Sequence, residues 1–121
     1  MVDKHDVRRI ALSFDDMAEN GEDSFDFQRN GRGICWPYLE RVDPKKARVR
    51  RYDRFVVRVA NADDKEAYLA GEPDIFFSTE HYNGYGAVVM RLDALDEVRL
   101  VELLTEAWEI APTSTRLSRA V

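Results

Sequence analysis

"EHYNGYGAVVMRL", Glu80 to Leu92, sets a histidine and two tyrosines around an Asn-Gly pair and then runs into an apolar segment. Asn-Gly between strand-forming residues is a strong hairpin signal, because a two-residue type I′ turn needs positive φ at both central positions. With Asn83 and Gly84 in those places, Tyr82 faces Tyr85, His81 faces Gly86, Thr79 faces Val88, Phe77 faces Met90 and Ile75 faces Leu92. Strand alternation then collects Ile75, Phe77, Val88, Met90 and Leu92 on a core face, with His81 at its outer end and both tyrosines on the reverse. Two readings of the tip stand side by side. His81 is a part-buried histidine hydrogen-bonded at the core edge and Tyr82 and Tyr85 are a cross-strand pair, or His81, Tyr82, Asn83 and Tyr85 form a contact for a small ligand or a partner.

Working outward, Asp93 or Asp96 opens a last helix with Val98, Val101, Leu104 and Trp108 on one face, ended by Pro112. On the other side, Asn61 with Asp63 and Asp64 opens a helix that stops near Gly71 and Pro73. Before it, residues 48–59 read as one long strand preceded by an exposed "DPKKA" loop. "SFDFQ" and the alternation of Ile34, Trp36 and Tyr38 read as two antiparallel strands joined at "RNGRG", with Pro37 introducing an irregularity. Val7, Ile10, Ala11, Phe14 and Met17 recur at helical spacing, which predicts a first helix over roughly Asp3 to Glu19, capped by Gly21. The order is α-β-β-β-α-β-β-α. This is an α+β fold, an antiparallel sheet with its helices on one face. It forms a single domain over residues 1–112, followed by a flexible tail over 113–121.

At 121 residues, 45% apolar and 11% aromatic, the chain suits one folded domain and excludes a disordered one. No run approaches the ~18 apolar residues of a membrane span, so no membrane partner is expected. The charged start "MVDKHDVRRI" lacks a secretory apolar region. Cys35 is the lone cysteine, so no disulfide forms within the chain. The expected location is cytoplasmic.

Charge is unevenly placed. Arg41 to Arg58 holds eight basic and two acidic side chains, a local charge of +6, which leaves −11 for the rest of a chain of net charge −5. With a Debye length of about 8 Å at physiological salt, distant acids do not cancel such a patch. Even-numbered positions of the long strand put Arg48, Arg50, Tyr52, Arg54 and Arg58 on one face, and Lys45 and Lys46 extend it at the loop. Arginine forks suit phosphates and a tyrosine suits stacking. The competing reading is a solvated face kept charged against edge pairing.

Signatures of catalysis are missing. No phosphate-binding glycine loop, nucleophile elbow or metal-ligand spacing occurs, so neither enzyme activity nor a cofactor is expected. A Cys35–His81 dyad is conceivable, but a cysteine beside Trp36 in an apolar strand is more often an inert core residue. Asp15, Asp16, Glu19, Glu22 and Asp23 read as a solvated helix end rather than a metal site.

The helix–strand order, the "HYNGYGAVVMRL" stretch and the closing "LLTEAWEI" resemble the MmcQ/YjbR family over about Val7 to Pro112. The most specific part is His81-x-Asn83 followed by a strand and the helix around Trp108. Gly84 and Tyr85-Gly86 stand where many members carry a lysine and a His-Trp pair, as in the actinobacterial branch. The resemblance implies a CyaY/frataxin-like fold and DNA binding through β-hairpin wings. The acids of the first helix are too scattered to carry over frataxin's iron-binding ridge. The expectation is a non-enzymatic domain that contacts DNA through Lys45, Lys46, Arg48, Arg50, Arg54 and Arg58, with Tyr52 stacking. The alternative is a protein-interaction or small-ligand module, in which the basic strand docks an acidic protein and the His81–Tyr85 hairpin lines a pocket for a small ligand.

Overall fold

The computed structural model describes residues 1–111, so Pro112 as a helix stop and the tail over 113–121 lie outside the described residues. Its elements are α1 (Lys4–Ala11), β1 (Met17–Glu19), β2 (Phe27–Arg29), β3 (Arg32–Glu40), β4 (Val49–Arg58), α2 (Ala62–Gly71), β5 (Phe76–Phe77), β6 (Ala87–Arg91) and α3 (Glu97–Ile110). The fold is α+β. The six strands pair antiparallel in the order β1-β2-β3-β4-β6-β5. On one face α1 and α3 enclose the main core of Val7, Ile10, Phe27, Ile34, Cys35, Phe55, Val57, Phe76, Val88, Met90, Leu100 and Leu104. The other face carries a smaller cluster of Tyr38, Val56, Tyr82, Ala87 and Val89, flanked by Trp36 and Phe77.

Local chemistry starts the helices where expected. Asp3 accepts from the amides of His5 and Asp6 while the Asp6 carboxylate returns to the Asp3 amide, a complete capping box. Asn61 caps α2 through the Asp64 amide at 2.8 Å, and Asp96 caps α3 through the Arg99 amide at 2.8 Å. The face of α3 differs from expectation. Leu100, Leu103, Leu104 and Ala107 are buried, whereas Val98 and Val101 are 70% and 39% exposed.

The first helix is shorter than its periodicity predicts. It ends at Ala11, where the Ser13 hydroxyl turns back onto the Ile10 carbonyl at 2.5 Å. Asp16 then takes a φ of 62°, and Met17 to Glu19 leave as the extra strand β1 beside β2. Gly21, with φ 99°, serves the β1–β2 connection instead of capping a helix. Phe14 and Met17 still reach the core, and Phe14 stacks on Trp108 at 5.8 Å.

Two cation clamps hold these pieces. Arg29 is buried, lies 3.9 Å over the Trp108 ring and donates to the Trp108 carbonyl at 2.7 Å, in the last turn of α3, where a cation complements the helix dipole. Arg8 lies 3.8 Å over Phe25 and binds Glu19 through Nε and Nη2 at 3.0 and 2.8 Å. Glu19 also accepts from the Phe25 amide at 2.9 Å, which holds Phe25 at its left-handed φ of 56°. The Arg8 bond, opposed by burial and helped by that amide, holds the Glu19 carboxyl below its ordinary 4.5.

A lowered carboxyl pKa stabilises the fold above the unfolded value and loses that contribution as pH falls through the folded one. The thermal midpoint is therefore expected to drop as pH is lowered below 4.5, and Glu19→Gln is expected to lower it at neutral pH and flatten the acid limb. Melts followed by circular dichroism from pH 7 to pH 3 check this. An unchanged acid limb in the variant would refute the clamp.

Candidate functional site

Pro37 cannot donate a ladder hydrogen bond, and the β3–β4 register breaks immediately after it. Pro37 pairs with Phe55, but Tyr38 pairs with Arg51, so Tyr52, Asp53 and Arg54 form a bulge with no partners on β3. Side chains of paired residues share a face, so the bulge reverses the parity of β4. Arg51 lies on the side of Tyr38, and Tyr52 turns to the helix side, where it packs on the main core and meets Phe25 at 5.5 Å. Beyond the bulge, Val56 belongs to the opposite cluster, and Arg54 and Arg58 share its face. The expected single stripe of Arg48, Arg50, Tyr52, Arg54 and Arg58 is thus divided in two, and Tyr52 is occupied beneath Lys4, whose ammonium sits 4.6 Å over its ring.

The outer part of the stripe belongs to a ribbon. β2 reaches β3 only at Arg32, Gly33 and Cys35, and β6 reaches β4 only at Arg54 to Arg58. Tyr38, Leu39 and Glu40 therefore pair with Arg51, Arg50 and Val49 and with no third strand. The connecting loop is folded on itself. Arg41 donates to the carbonyls of Pro44 and Lys46, and Asp43 accepts from the Lys45 amide at 2.9 Å. Arg51 is neutralised by Glu40, Arg54 by Asp53 at 3.3 Å, and Arg48 donates to the Leu39 carbonyl at 3.5 Å. Lys45, Lys46 and Arg50 are exposed, and among the described residues no carboxylate pairs with them.

The Asn83-Gly84 tip is not a type I′ hairpin. Glu80 to Tyr82 form a 3-10 turn, Asn83 has φ −62° and ψ 131°, Gly84 has φ 75°, and the Tyr85 amide donates to the Tyr82 carbonyl at 3.0 Å. These angles make a type II turn, in which Gly84 supplies the single positive φ. The type I′ Asn-Gly turn occurs instead at Asn30 and Gly31, with φ 50° and 81°, between the paired Arg29 and Arg32. Phe76 consequently pairs with Met90 and Phe77 with Val89, one residue out of the expected register. Phe77 moves to the face of Tyr38, whose ring it meets edge-on at 5.7 Å.

The tip residues separate as well. Tyr82 is buried over Tyr38 and Val89, and burial pushes its hydroxyl above the ordinary 10.0. Tyr82 and Tyr85 do meet, at 6.1 Å and 76°. His81 is exposed, contrary to the part-buried expectation. Asn83 and Tyr85 border a groove of about 310 Å3 against the start of α2, where Lys65 donates to the Tyr82 and Tyr85 carbonyls. Cys35 is fully buried on the helix side, with its thiol pushed far up by burial, so it is not brought to His81. Among the described residues no three His, Cys, Asp or Glu side chains gather as a metal site, and no helix is long and apolar enough to cross a membrane.

Arg32 lay outside the expected site. It opens β3 next to Gly33, whose carbonyl accepts from Arg58 Nε at 2.6 Å. The signal available in the sequence was its place directly after the Asn30-Gly31 turn.

Over 52 residues the chain is 46% identical to the uncharacterized protein Rv2570 of Mycobacterium tuberculosis and to the uncharacterized protein Mb2600 of Mycobacterium bovis. That stretch is 43% of this chain and 40% of each relative, so the match spans about two fifths of the curated relatives' length. No family model and no solved structure matches the chain.

If Tyr82 is a structural plug and His81 a surface residue, Tyr82→Ala is expected to cost about 3 kcal/mol in urea unfolding, in the range of large core truncations. His81→Ala is expected to stay within about 0.5 kcal/mol. Equal costs would mean that the turn is packed differently.

Proposed function

We propose that the chain is a nucleic-acid-binding domain whose β3–β4 ribbon acts as a wing laid along a phosphate backbone. The observation that carries this reading is the tip itself, where Lys45, Lys46 and Arg50 are exposed on a two-stranded extension of the sheet without carboxylate partners among the described residues. Arg41 and Arg48 add charge, while their bonds to loop and strand carbonyls hold the tip in one shape. A preformed cationic edge attracts phosphates through counterion release and carries little sequence information. The MmcQ/YjbR resemblance of His81 to Leu92 leads to the same expectation of a winged contact with DNA. Relative to the sequence expectation, Tyr52 leaves the contact surface and Arg54 and Arg58 belong to a different face.

Fluorescence anisotropy of a labelled duplex tests the wing. With three to four phosphates neutralised, log K is expected to fall with log salt at a slope of about −3 to −4. Lys45→Glu with Lys46→Glu and Arg50→Glu is expected to abolish binding with unchanged circular dichroism. Absence of binding at low salt, or binding indifferent to these reversals, would overturn the proposal.

A further inference from the structure

The three helices pack on one face of the sheet. Val7 and Ile10 of α1, Tyr68 and Leu69 of α2, and Leu100 and Leu104 of α3 all join the main core. No residue of these helices enters the cluster on the reverse face, which is roofed by aromatic side chains instead.

The strand register lays that roof out. Trp36 pairs with Val56, Val56 with Val89 and Val89 with Phe77, so Trp36 and Phe77 stand in one row across four strands. Three strand spacings separate them, about 14 Å. Tyr38 and Tyr82 are buried beside the row, whereas Trp36 and Phe77 are only half-buried. Tyr85 meets Trp36 edge-on at 6.4 Å and is 55% exposed. The aromatic surface is therefore open to solvent at Trp36, Phe77 and Tyr85.

Cations frame the row on both sides. Arg54 pairs with Arg91 two residues to one side, Arg58 pairs with Ala87 two residues to the other, and paired residues share a face. No acidic residue stands in these rows. Arg91 lies 4.5 Å over the Phe77 ring and donates to the Pro73 carbonyl at 3.2 Å, and Arg58 donates to the Gly33 carbonyl at 2.6 Å. Arg54 is held by Asp53, but neither Arg58 nor Arg91 has a carboxylate partner among the described residues.

We propose that this face binds single-stranded nucleic acid, with unpaired bases stacking on Trp36, Phe77 and Tyr85 and phosphates meeting Arg58 and Arg91. Every base has a flat π-face that an aromatic ring accepts without regard to sequence, and guanidinium forks match phosphate oxygens. A duplex keeps its bases stacked inside and leaves such rings unused, and an acidic peptide meets the arginines but not the rings. The site uses none of the tip cations and does not rest on the wing reading.

The test is a tryptophan-fluorescence titration of the full chain with a short oligothymidylate, a short oligouridylate and polyglutamate. Saturable quenching by the oligonucleotides is expected, the tighter of the two assigning DNA or RNA. For two phosphates on a single strand, log K is expected to fall with log salt at a slope of about −1.4. Trp36→Phe is expected to remove the quench while the emission of Trp108 remains. Tyr85→Ala is expected to weaken the affinity about fivefold or more, the loss of one stacked ring, and Arg91→Gln to flatten the salt slope by about 0.7. Tyr85→Ala removes an exposed ring and leaves the Lys65 bond, which goes to the Tyr85 backbone carbonyl; thermal melts verify the fold of each variant. The Lys45→Glu, Lys46→Glu, Arg50→Glu variant is expected to keep the quench, whatever the duplex assay shows. The proposal is overturned by no saturable quenching with either oligonucleotide at low salt, by full affinity in Tyr85→Ala, or by loss of the quench in the tip variant. Equal quenching by polyglutamate would also overturn it and mark the face as a dock for an acidic protein.

Discussion

The register slip that follows Pro37 is the constraint on which the rest of the structure depends. Past the Pro37–Phe55 pair, Tyr52, Asp53 and Arg54 have no partner on β3, and β4 re-pairs at Arg51 opposite Tyr38. That slip sends Tyr52 beneath α1, against Phe25 and Lys4, and returns Arg54, Val56 and Arg58 to the reverse face. It also sets the reach of the neighbouring strand, because β6 pairs with β4 only from Arg54 onward. The outer half of the hairpin is left as a ribbon. One register slip thus divides a uniform basic strand into two separate cationic regions.

Much of the frame was legible in the sequence because it depends on short-range chemistry. The side-chain caps at Asp3, Asn61 and Asp96, the turn between β2 and β3 and the break at Pro37 are each decided within a few residues. What was not legible depends on longer-range choices. Asn-Gly satisfies both a type I′ and a type II turn, and at Asn83-Gly84 the burial of Tyr82 against Tyr38 favours the second. The slipped register of Phe76 and Phe77 follows from that choice. Period-two alternation placed the β4 arginines correctly only on each side of the bulge. The early end of α1 had a visible cue in Ser13, Asp15 and Asp16, residues that favour turns, but the apolar spacing of Phe14 and Met17 ran through it.

The site was legible in composition and less so in geometry. A cluster of cations between Arg41 and Arg58 is evident from the residues, but which of them are already neutralised is not. Glu40 takes Arg51 and Asp53 takes Arg54, while the tip keeps Lys45, Lys46 and Arg50 exposed. The two cationic regions lie at the two ends of β3, with Tyr38, Tyr82 and Phe77 on the face between them. The proposed wing depends on how β3 and β4 are registered.

The register itself is therefore the measurement to make, by nuclear Overhauser contacts between backbone protons of β3 and β4 in the labelled protein. Cross-strand contacts are expected between Pro37 and Phe55 and between Tyr38 and Arg51, with Tyr52 ring protons close to Phe25. A continuous ladder that places Tyr38 opposite Arg54 and Glu40 opposite Tyr52 would contradict the bulge and, with it, the division of the β4 arginines between two faces.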